Sequence, residues 1–230
     1  MKILHLCLGC FYIDNYSYQE NLLPKYHQEL GYKVEIIASL FNFDVNGKPT
    51  YLKKSSKYKN EFGIPTTRLS FKKGMFKKVY KKLKLFQNLD IELEKSNPDI
   101  IFIHGCQFVD IQKVVKYIKK NKQKKIRIYV DNHADFSNSA NNWLSKNILH
   151  GYLWKRCAQL IEPYTEKFYG VLPARVDFLV NIYKLPKSKV ELLVMGADDE
   201  EISKSKLEKS KKNIRKDLKI KDDEFFIITG

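Results

Sequence analysis

Mostly apolar runs of six to eight residues recur along the chain and alternate with longer segments of mixed polarity. Strands that are buried on both faces show such runs, without the polar alternation of a half-exposed strand. The sequence predicts strands of this kind at residues 2–8, 33–39, 98–105, 125–132 and 190–196. Because helical patterns separate these strands, we predict an α/β fold with a Rossmann-like, doubly wound parallel sheet.

The segments between the strands predict helices and loops. The first helix ends at Gly31, where a left-handed backbone costs glycine little. Further helices are predicted at residues 72–95, 110–121, 142–161 and 163–183, with a polar loop at 42–60 and a short extended piece at 64–71.

The last thirty residues differ from the rest in composition. Residues 1–199 are assigned to the Rossmann-like domain, and the charged, helix-prone residues 200–224 to an interdomain linker helix. Residues 225–230, "FFIITG", have the pattern of a strand that ends in glycine. Since a single strand does not fold alone, we expect it to be the first strand of a second, missing domain.

Length, composition and net charge limit the class of protein to which this chain can belong. A chain of 230 residues can bury a core without disulfide or metal support. It shows no signal-peptide pattern and no apolar stretch of about 18 residues, so we expect a cytoplasmic protein. The net charge of +16 makes an acidic partner, nucleic acid or an anionic lipid surface, a reasonable expectation.

Four cysteines are few for a disulfide-bonded protein, and they predict reduced thiols. Cys7 and Cys10 form a C-x-x-C pair near the end of the first strand. A thioredoxin-like redox pair and plain core packing both fit this spacing. No second pair is present to complete a zinc site.

Polar loops follow four of the predicted strands, at residues 9–20, 104–108, 131–140 and 196–200. Ligands of open parallel sheets bind beyond the carboxyl ends of the strands, so these loops should share one edge. Their hydroxyl, amide, imidazole and carboxyl groups suit a polyhydroxylated ligand. The expected cleft residues are Asn15, Tyr16, His104, Asn132, His133, Asp135 and Asp198.

Five stretches in a fixed order carry a wider likeness: residues 1–39, 95–105, 126–137, 186–200 and 214–230. The third leads from a strand to the loop histidine His133, and the fourth from a strand to the turn Gly196-Ala197-Asp198. In this order they resemble the N-terminal half of a family 4 glycosyltransferase, an enzyme with the two-domain GT-B architecture. Together they cover nearly the whole chain.

The resemblance implies a retaining, hexosyltransferase-like enzyme that moves a sugar from a nucleotide-diphosphate sugar to an acceptor. The acceptor would be a glycan or a lipid-linked saccharide of cell-surface polysaccharide synthesis. This half would bind the acceptor, while most donor contacts, including two glutamates, would lie in the other half. We therefore expect no turnover by this chain alone, and neither a metal nor a cofactor beyond the donor co-substrate.

The resemblance also assigns roles to residues. His133 would contact the donor or acceptor sugar near the reacting centre, with Asn132 or Asp135 holding its tautomer and Asp131 supporting them. Gly9, Gly196 and Asp198 would lie in loops that face the donor. Many relatives have two adjacent glycines in the first loop, where this chain has "DNYSYQE". The alternative for His133 is a loop histidine beside an aspartate that caps the next helix.

The segment 72–86 predicts a cationic amphipathic helix. Its apolar stripe could dock on the sheet, or it could lie on an anionic membrane. Because similar transferases act on lipid-linked acceptors, we predict peripheral binding at the inner face of the plasma membrane. The expected contact residues are Lys72, Lys73, Phe76, Lys77, Lys78, Lys81 and Lys82.

Three other readings compete. A basic nucleic-acid-binding α/β protein fits the charge, although no recognised RNA- or DNA-binding motif is present. An NAD-dependent enzyme lacks support, since the first strand is not followed by G-x-G-x-x-G and the second does not end in an acidic residue. A stand-alone carbohydrate-binding module would differ from the enzyme in lacking a second domain.

Overall fold

The computed structural model describes residues 1–140, 142–206, 208–221 and 223–227. Long buried runs and short polar segments both contribute strands. The strands are β1 (Lys2–Cys7), β2 (Lys33–Ser39), β3 (Phe41–Phe43), β4 (Pro49–Tyr51), β5 (Ser56–Lys59), β6 (Pro65–Leu69), β7 (Ile100–His104), β8 (Arg127–Asn132), β9 (Thr165–Gly170) and β10 (Val190–Leu192).

Helices connect most of these strands. They are α1 (Gln19–Glu29), α2 (Lys77–Lys82), α3 (Leu89–Ser96), α4 (Ile111–Lys120), α5 (Lys155–Ile161), α6 (Pro173–Asn181), α7 (Asp199–Ser205) and α8 (Glu208–Asp217). A π-helical stretch, Ser145–Trp154, runs directly into α5. Short 3₁₀ turns lie at Glu162–Tyr164 and Lys187–Lys189. Among the described residues, no helix has the length and apolarity needed to cross a bilayer.

The main sheet has the strand order β10-β9-β8-β7-β1-β2-β6-β5. Its strands pair in parallel except for β5, which runs antiparallel to β6 at one edge. The chain leaves β1 towards β2 on one side and continues from β7 to β8 on the other, so the order reverses between β1 and β7. The predicted Rossmann-like, doubly wound α/β fold is confirmed.

The central strands are buried on both faces, as their continuous apolar runs predict. In β1, the residues from Ile3 to Cys7 are all buried. Leu4 and Leu6 belong to a large cluster that also contains Ile101 from β7. Cys7 belongs to a smaller one with residues of β2. Helices and loops therefore cover both faces and leave the strand ends for ligands.

The helix predicted at residues 163–183 is wrong over its first half. Thr165–Gly170 forms β9, between β8 and β10. Its buried positions Thr165, Phe168 and Gly170 have a β-branched, an aromatic and a small residue, which suit a packed strand. At Gly170 a Cβ atom would lie 2.4 Å from the backbone nitrogen of Val176, so only glycine allows α6 to pack this closely.

The long lysine-rich helix predicted to reach residue 95 is also wrong. It consists of α2 and α3, separated at Lys84, which has a φ of 52°. Phe86, the last residue of the predicted amphipathic segment 72–86, is extended and bridges Phe71, with ring centroids 5.0 Å apart. Burial of Phe86 beside the sheet overrides the helical periodicity. The predicted loop at 42–60 likewise contains β4, all of β5 and part of β3.

The chain divides into two compact units, Met1–Met195 and Gly196–Gly230. The first contains the sheet. The second contains α7 and α8 where a single linker helix is predicted at 200–224. Of the predicted strand at 225–230, residues 225–227 have no strand geometry and 228–230 lie outside the described residues. The second domain stays a prediction.

Candidate active site at the carboxyl edge of the sheet

The loops that follow β1 and β7 meet at the point where the strand order reverses. A Cβ atom on Gly9 would lie 2.0 Å from the carbonyl oxygen of Gly105, so no side chain fits there. Gly105 itself has a φ of 75°, in the left-handed region that favours glycine. Gly9 therefore allows two loops to approach each other, a role that needs no ligand.

A pocket of about 600 Å³ opens beside this contact, within the size range of small-molecule sites. Loops after β1, β7 and β8 form its walls, together with the start of α1 and the π-helical stretch. Residues that line it include Gly9, Cys10, Phe11, Tyr18, Glu20, Lys84, Gln107, His133, Asn138, His150, Trp154 and Arg175. Of the predicted site residues, Gly9 and His133 are on this wall.

A line of hydrogen-bonded histidines runs from the half-buried His27 of α1 to Asp131, behind the pocket. The Nδ1 atom of His27 lies 3.0 Å from Nε2 of His5, and Nδ1 of His5 lies 2.9 Å from Nε2 of His104. The Nδ1–H of His104 then donates to Oδ2 of Asp131 at 2.6 Å. His5, His104 and Asp131 are fully buried. Four elements thus contribute to one hydrogen-bonded line.

Asp131 and His104 form an ion pair in this line, and His5 is neutral. Burial alone would lower the pKa of His104, but the adjacent Asp131 carboxylate raises it to about 10. Burial, and then the charge on His104, hold the pKa of His5 well below its usual value. His104 is therefore an imidazolium, and its Nε2–H donates to a neutral His5. The predicted site residue His104 lies behind Asp131, with no exposed surface.

Asp131 links this line to His133. Its Oδ1 atom accepts a hydrogen bond from the backbone N–H of Gly105 at 3.2 Å and lies 3.5 Å from Nε2 of His133. The same Nε2 atom lies 3.7 Å from Oε1 of Glu20. Burial opposes the charged form of His133, but Asp131 and then Glu20 outweigh it and raise the pKa of the imidazole. His133 therefore keeps its proton to a higher pH than an unperturbed imidazole.

The expectation that Asn132 or Asp135 orients His133 is wrong. Oδ1 of Asn132 accepts from Gln107 at 2.9 Å, and its Nδ2 donates to the carbonyl of Ala134. Asp135 caps its own loop, accepting from the backbone N–H of Ser137 at 2.7 Å, and pairs with Nε of Arg175 at 3.2 Å. Both fix the loop that carries the histidine, while Asp131 lies beside the ring.

Asn15 and Tyr16, in the loop after β1, are not among the residues that line the pocket. Asn15 has a φ of 64° in the loop after β1, and the ring of Tyr16 packs against Tyr18. Gly196 and Asp198 belong to the second unit, where Asp198 caps α7 by accepting from the backbone N–H of Glu200 at 3.1 Å.

Several pocket residues have no signal in the sequence that we recognised. His150 and Trp154 come from the π-helical stretch, a rare conformation that is frequent at functional sites. Arg175 lines the pocket and is held there by its ion pair with Asp135. Lys84 belongs to a run of lysines in which the spacing distinguishes no member. Glu20 follows the first loop, where a search for acids near the start of α1 would have found it.

Of the C-x-x-C pair, Cys7 lies in the core and Cys10 at the wall of the pocket. Cys7 is fully buried, and burial followed by the neighbouring Cys7 thiol raises the pKa of Cys10 well above its usual value. A redox cysteine needs a stabilised thiolate, so the thioredoxin-like interpretation is not supported. Within the residues that the structure describes, no group of three or more His, Cys, Asp or Glu could hold a metal ion.

Comparisons with known proteins bear on the fold. No protein-family model and no curated protein matches the chain. A glycosyltransferase from Rickettsia africae ESF-5 matches with a TM-score of 0.53 and 14% identity, over 96% of this chain and 50% of that one. Two structures of sucrose-phosphate synthase from Thermosynechococcus elongatus match with TM-scores of 0.52 and 0.53 and identities of 10% and 11%.

The two synthase matches cover 93% and 86% of this chain, and 99% and 48% of the synthase chains. The chain thus spans about half the length of the Rickettsia glycosyltransferase and of one synthase structure. At such identities the likeness establishes the fold: this chain has the Rossmann-like α/β fold of one half of the GT-B architecture.

Proposed function

We propose that the chain is part of a retaining family 4 glycosyltransferase that transfers a hexose from a nucleotide-diphosphate sugar to a glycan or lipid-linked acceptor in cell-surface polysaccharide synthesis. The position of His133 carries this proposal. It follows β8, lies beside Asp131, and lines the pocket at the switch point of a fold shared with glycosyltransferases.

Sugar transfer builds negative charge on the departing diphosphate, so a fixed cation beside it lowers the barrier. His133 is suited to this because its pKa is raised. Its Nε2 atom lies 3.5 Å from Oδ1 of Asp131 and 3.7 Å from Oε1 of Glu20, and these two carboxylates hold the ring at the pocket wall. Asp131 orients the ring, and His104 neutralises Asp131 from behind.

This half of the enzyme then binds the acceptor and supplies His133, while the donor nucleotide binds mainly to a second domain. His133 is half of a site in that arrangement. We expect the 230-residue chain alone to bind ligands without turnover.

The test is a thermal-shift panel of nucleotide-diphosphate sugars on the full-length gene product that contains this chain, followed by transfer assays with the donors that stabilise it. The His133→Ala variant should lower kcat by about 100-fold or more. Phe136→Leu in the same loop, where Phe136 is 46% exposed, is the control. NMR of the product should show a retained anomeric configuration. Absence of stabilisation by every donor would contradict the proposal.

We also propose that α2 and the residues just before it bind an anionic membrane surface. No side chain of α2 is buried, and Met75, Phe76 and Val79 are 89%, 58% and 49% exposed. Exposed lysines surround them at Lys72, Lys73, Lys77, Lys78, Lys81 and Lys82. Each lysine near an anionic bilayer contributes about 1 kcal/mol, and the apolar side chains can enter the interface.

Vesicle flotation tests this surface. The protein should float with vesicles that contain phosphatidylglycerol and remain at the bottom with pure phosphatidylcholine. Charge reversal of Lys77 and Lys78 should abolish flotation, whereas reversal of Lys116 and Lys119, two exposed lysines of α4, changes net charge equally and should preserve it. Equal losses in both variants would show general attraction and would remove the assignment to α2.

A further inference from the structure

Lys84 is the inward member of the lysine cluster at residues 72–84. The six others are exposed, whereas Lys84 lines the pocket. It directly follows Leu83, the C-cap residue of α2, and its φ of 52° turns the chain back towards the sheet. Its Nζ donates to the carbonyl oxygen of Gly9, in the loop after β1. The turn thus delivers one ammonium group to the switch point.

This ammonium group has no carboxylate within ion-pairing distance among the described residues. Burial lowers the pKa of Lys84 to about 8, and the neighbouring groups that act on it are the thiols of Cys10 and Cys106. A half-buried cation without a counter-ion is unfavourable. An anion in the pocket would remove this penalty.

His150 supplies a second donor at the pocket. Nε2 of Gln107 donates to the hydroxyl oxygen of Tyr183 at 3.0 Å, so the hydroxyl proton is left for Nδ1 of His150, 2.9 Å away. Burial and then the Lys84 charge lower the pKa of His150 to about 4. The neutral ring accepts at Nδ1 and carries its proton on Nε2. That N–H has no partner among the described residues.

The pocket carries an excess of positive charge. Among its lining residues in the described part of the chain, the acid is Glu20, which lies 3.7 Å from His133. Arg175 lines the same pocket, and its Nε atom binds Asp135. No acid therefore competes with a ligand for Lys84.

We propose that Lys84 and His150 form a binding site for the phosphate or diphosphate group of a ligand. The ammonium group of Lys84 would provide the positive charge, and the Nε2–H of His150 would donate a directional hydrogen bond to a phosphate oxygen. The site extends the transferase proposal, and rests on it only for the source of the phosphate. That source is either the nucleotide-sugar donor or a diphosphate-linked lipid acceptor.

Titration calorimetry of the 230-residue chain with inorganic pyrophosphate tests the site. Lys84→Met should weaken binding about tenfold or more, because a charge-assisted hydrogen bond is lost. Lys82→Met removes the same charge from an exposed position and should change affinity less than about twofold. Equal affinities of the two variants would overturn the proposal.

A second measurement uses the unmutated chain, in case Lys84→Met does not fold. NMR of ¹³C-labelled lysine, assigned with Lys84→Arg, should show Lys84 titrating near pH 8 and more than one pH unit higher with saturating pyrophosphate. A titration that pyrophosphate leaves unchanged would refute the site.

Competition identifies the source. Displacement of pyrophosphate by uridine diphosphate but not by geranyl diphosphate would assign the site to the donor, and the reverse result would assign it to a lipid acceptor. Displacement by neither would count against the site. Pyrophosphate binding that persists after a negative nucleotide-sugar panel would keep this site and remove the transferase proposal.

Discussion

Asp131 joins the stability of the sheet to the chemistry of the pocket. Its carboxylate accepts from His104, from the backbone of Gly105 and from Nε2 of Gln19 at 3.2 Å, and it lies beside His133. The His104 charge holds its pKa below the usual range despite the burial that raises it. One side chain therefore sets the charge of a buried histidine and of a pocket histidine.

Replacing this carboxylate should be costly. Asp131→Asn leaves the buried His104 without its counter-ion, and breaking a buried pair in this way costs about 3 kcal/mol or more. Asp90→Asn breaks the pair with Lys113, in which the Asp90 side chain is 66% exposed, and should cost less than about 1 kcal/mol. Urea unfolding at pH 7 measures both, and equal losses would disprove the role given to Asp131.

The same pair makes stability depend on pH. The pKa of His104 rises on folding from 6.5 to about 10, so its contribution is full below pH 6.5 and disappears as the pH rises towards 10. For Asp131 the folded pKa is lowered, so its contribution is lost on acidification below about pH 4. Wild type should lose its stability advantage over His104→Gln between pH 6.5 and 10, as measured by denaturant unfolding. A constant advantage would contradict the charged state of His104.

Residues of this kind differ in how far the sequence can predict them. His133 could be placed at the carboxyl edge because it follows an apolar strand directly. The sequence could not predict the partners of His133. The line from His27 to Asp131 joins residues up to 104 positions apart, and only the order of strands in the sheet brings them together. The position of Lys84 in the pocket could not be predicted either. Its positive φ turns the side chain inward, and nothing in the run of lysines indicates that conformation.

Among the strands and helices, some were predictable from the sequence and others depended on tertiary packing. Strands buried on both faces were predictable, because continuous apolar runs have few other solutions. The failures at β9 and after α2 occur where tertiary packing opposes local pattern. Phe168 is needed between β8 and β10, and Phe86 against Phe71.

The contact between the loops after β1 and β7 gives a prediction at this scale. Gly9→Ala would place a methyl group 2.0 Å from a backbone oxygen, so the loops must separate, at about 1–3 kcal/mol. Gly196→Ala meets no atom within 4 Å and should be nearly neutral. Thermal unfolding compares the two, and pyrophosphate affinity reports on the pocket. Unchanged stability of Gly9→Ala would show that the loops are not packed as described.

For the molecule as a whole, charge and fold point to different partners. The net charge of +16 would suit nucleic acid, and it is what remains after lysines and acids cancel in pairs such as Lys57 with Glu92 and Lys124 with Asp99. The lysines around α2 lie instead beside exposed apolar residues, which a phosphate backbone does not require. A membrane surface satisfies both features, so we favour it over nucleic acid.

The first unit should fold without the second. Among residues whose burial is described, the hydrophobic core ends at Val190, in β10, which pairs with β9. A chain of residues 1–195 should therefore keep a single cooperative transition, with Tm within about 3 °C of the 230-residue chain. A chain of residues 1–185 lacks β10, leaves the edge of β9 unpaired and should lose several degrees or fail to fold. Circular dichroism melting distinguishes these outcomes. If 1–195 melted like 1–185, the core would depend on residues after Met195, and the pocket could not be assigned to the first unit alone.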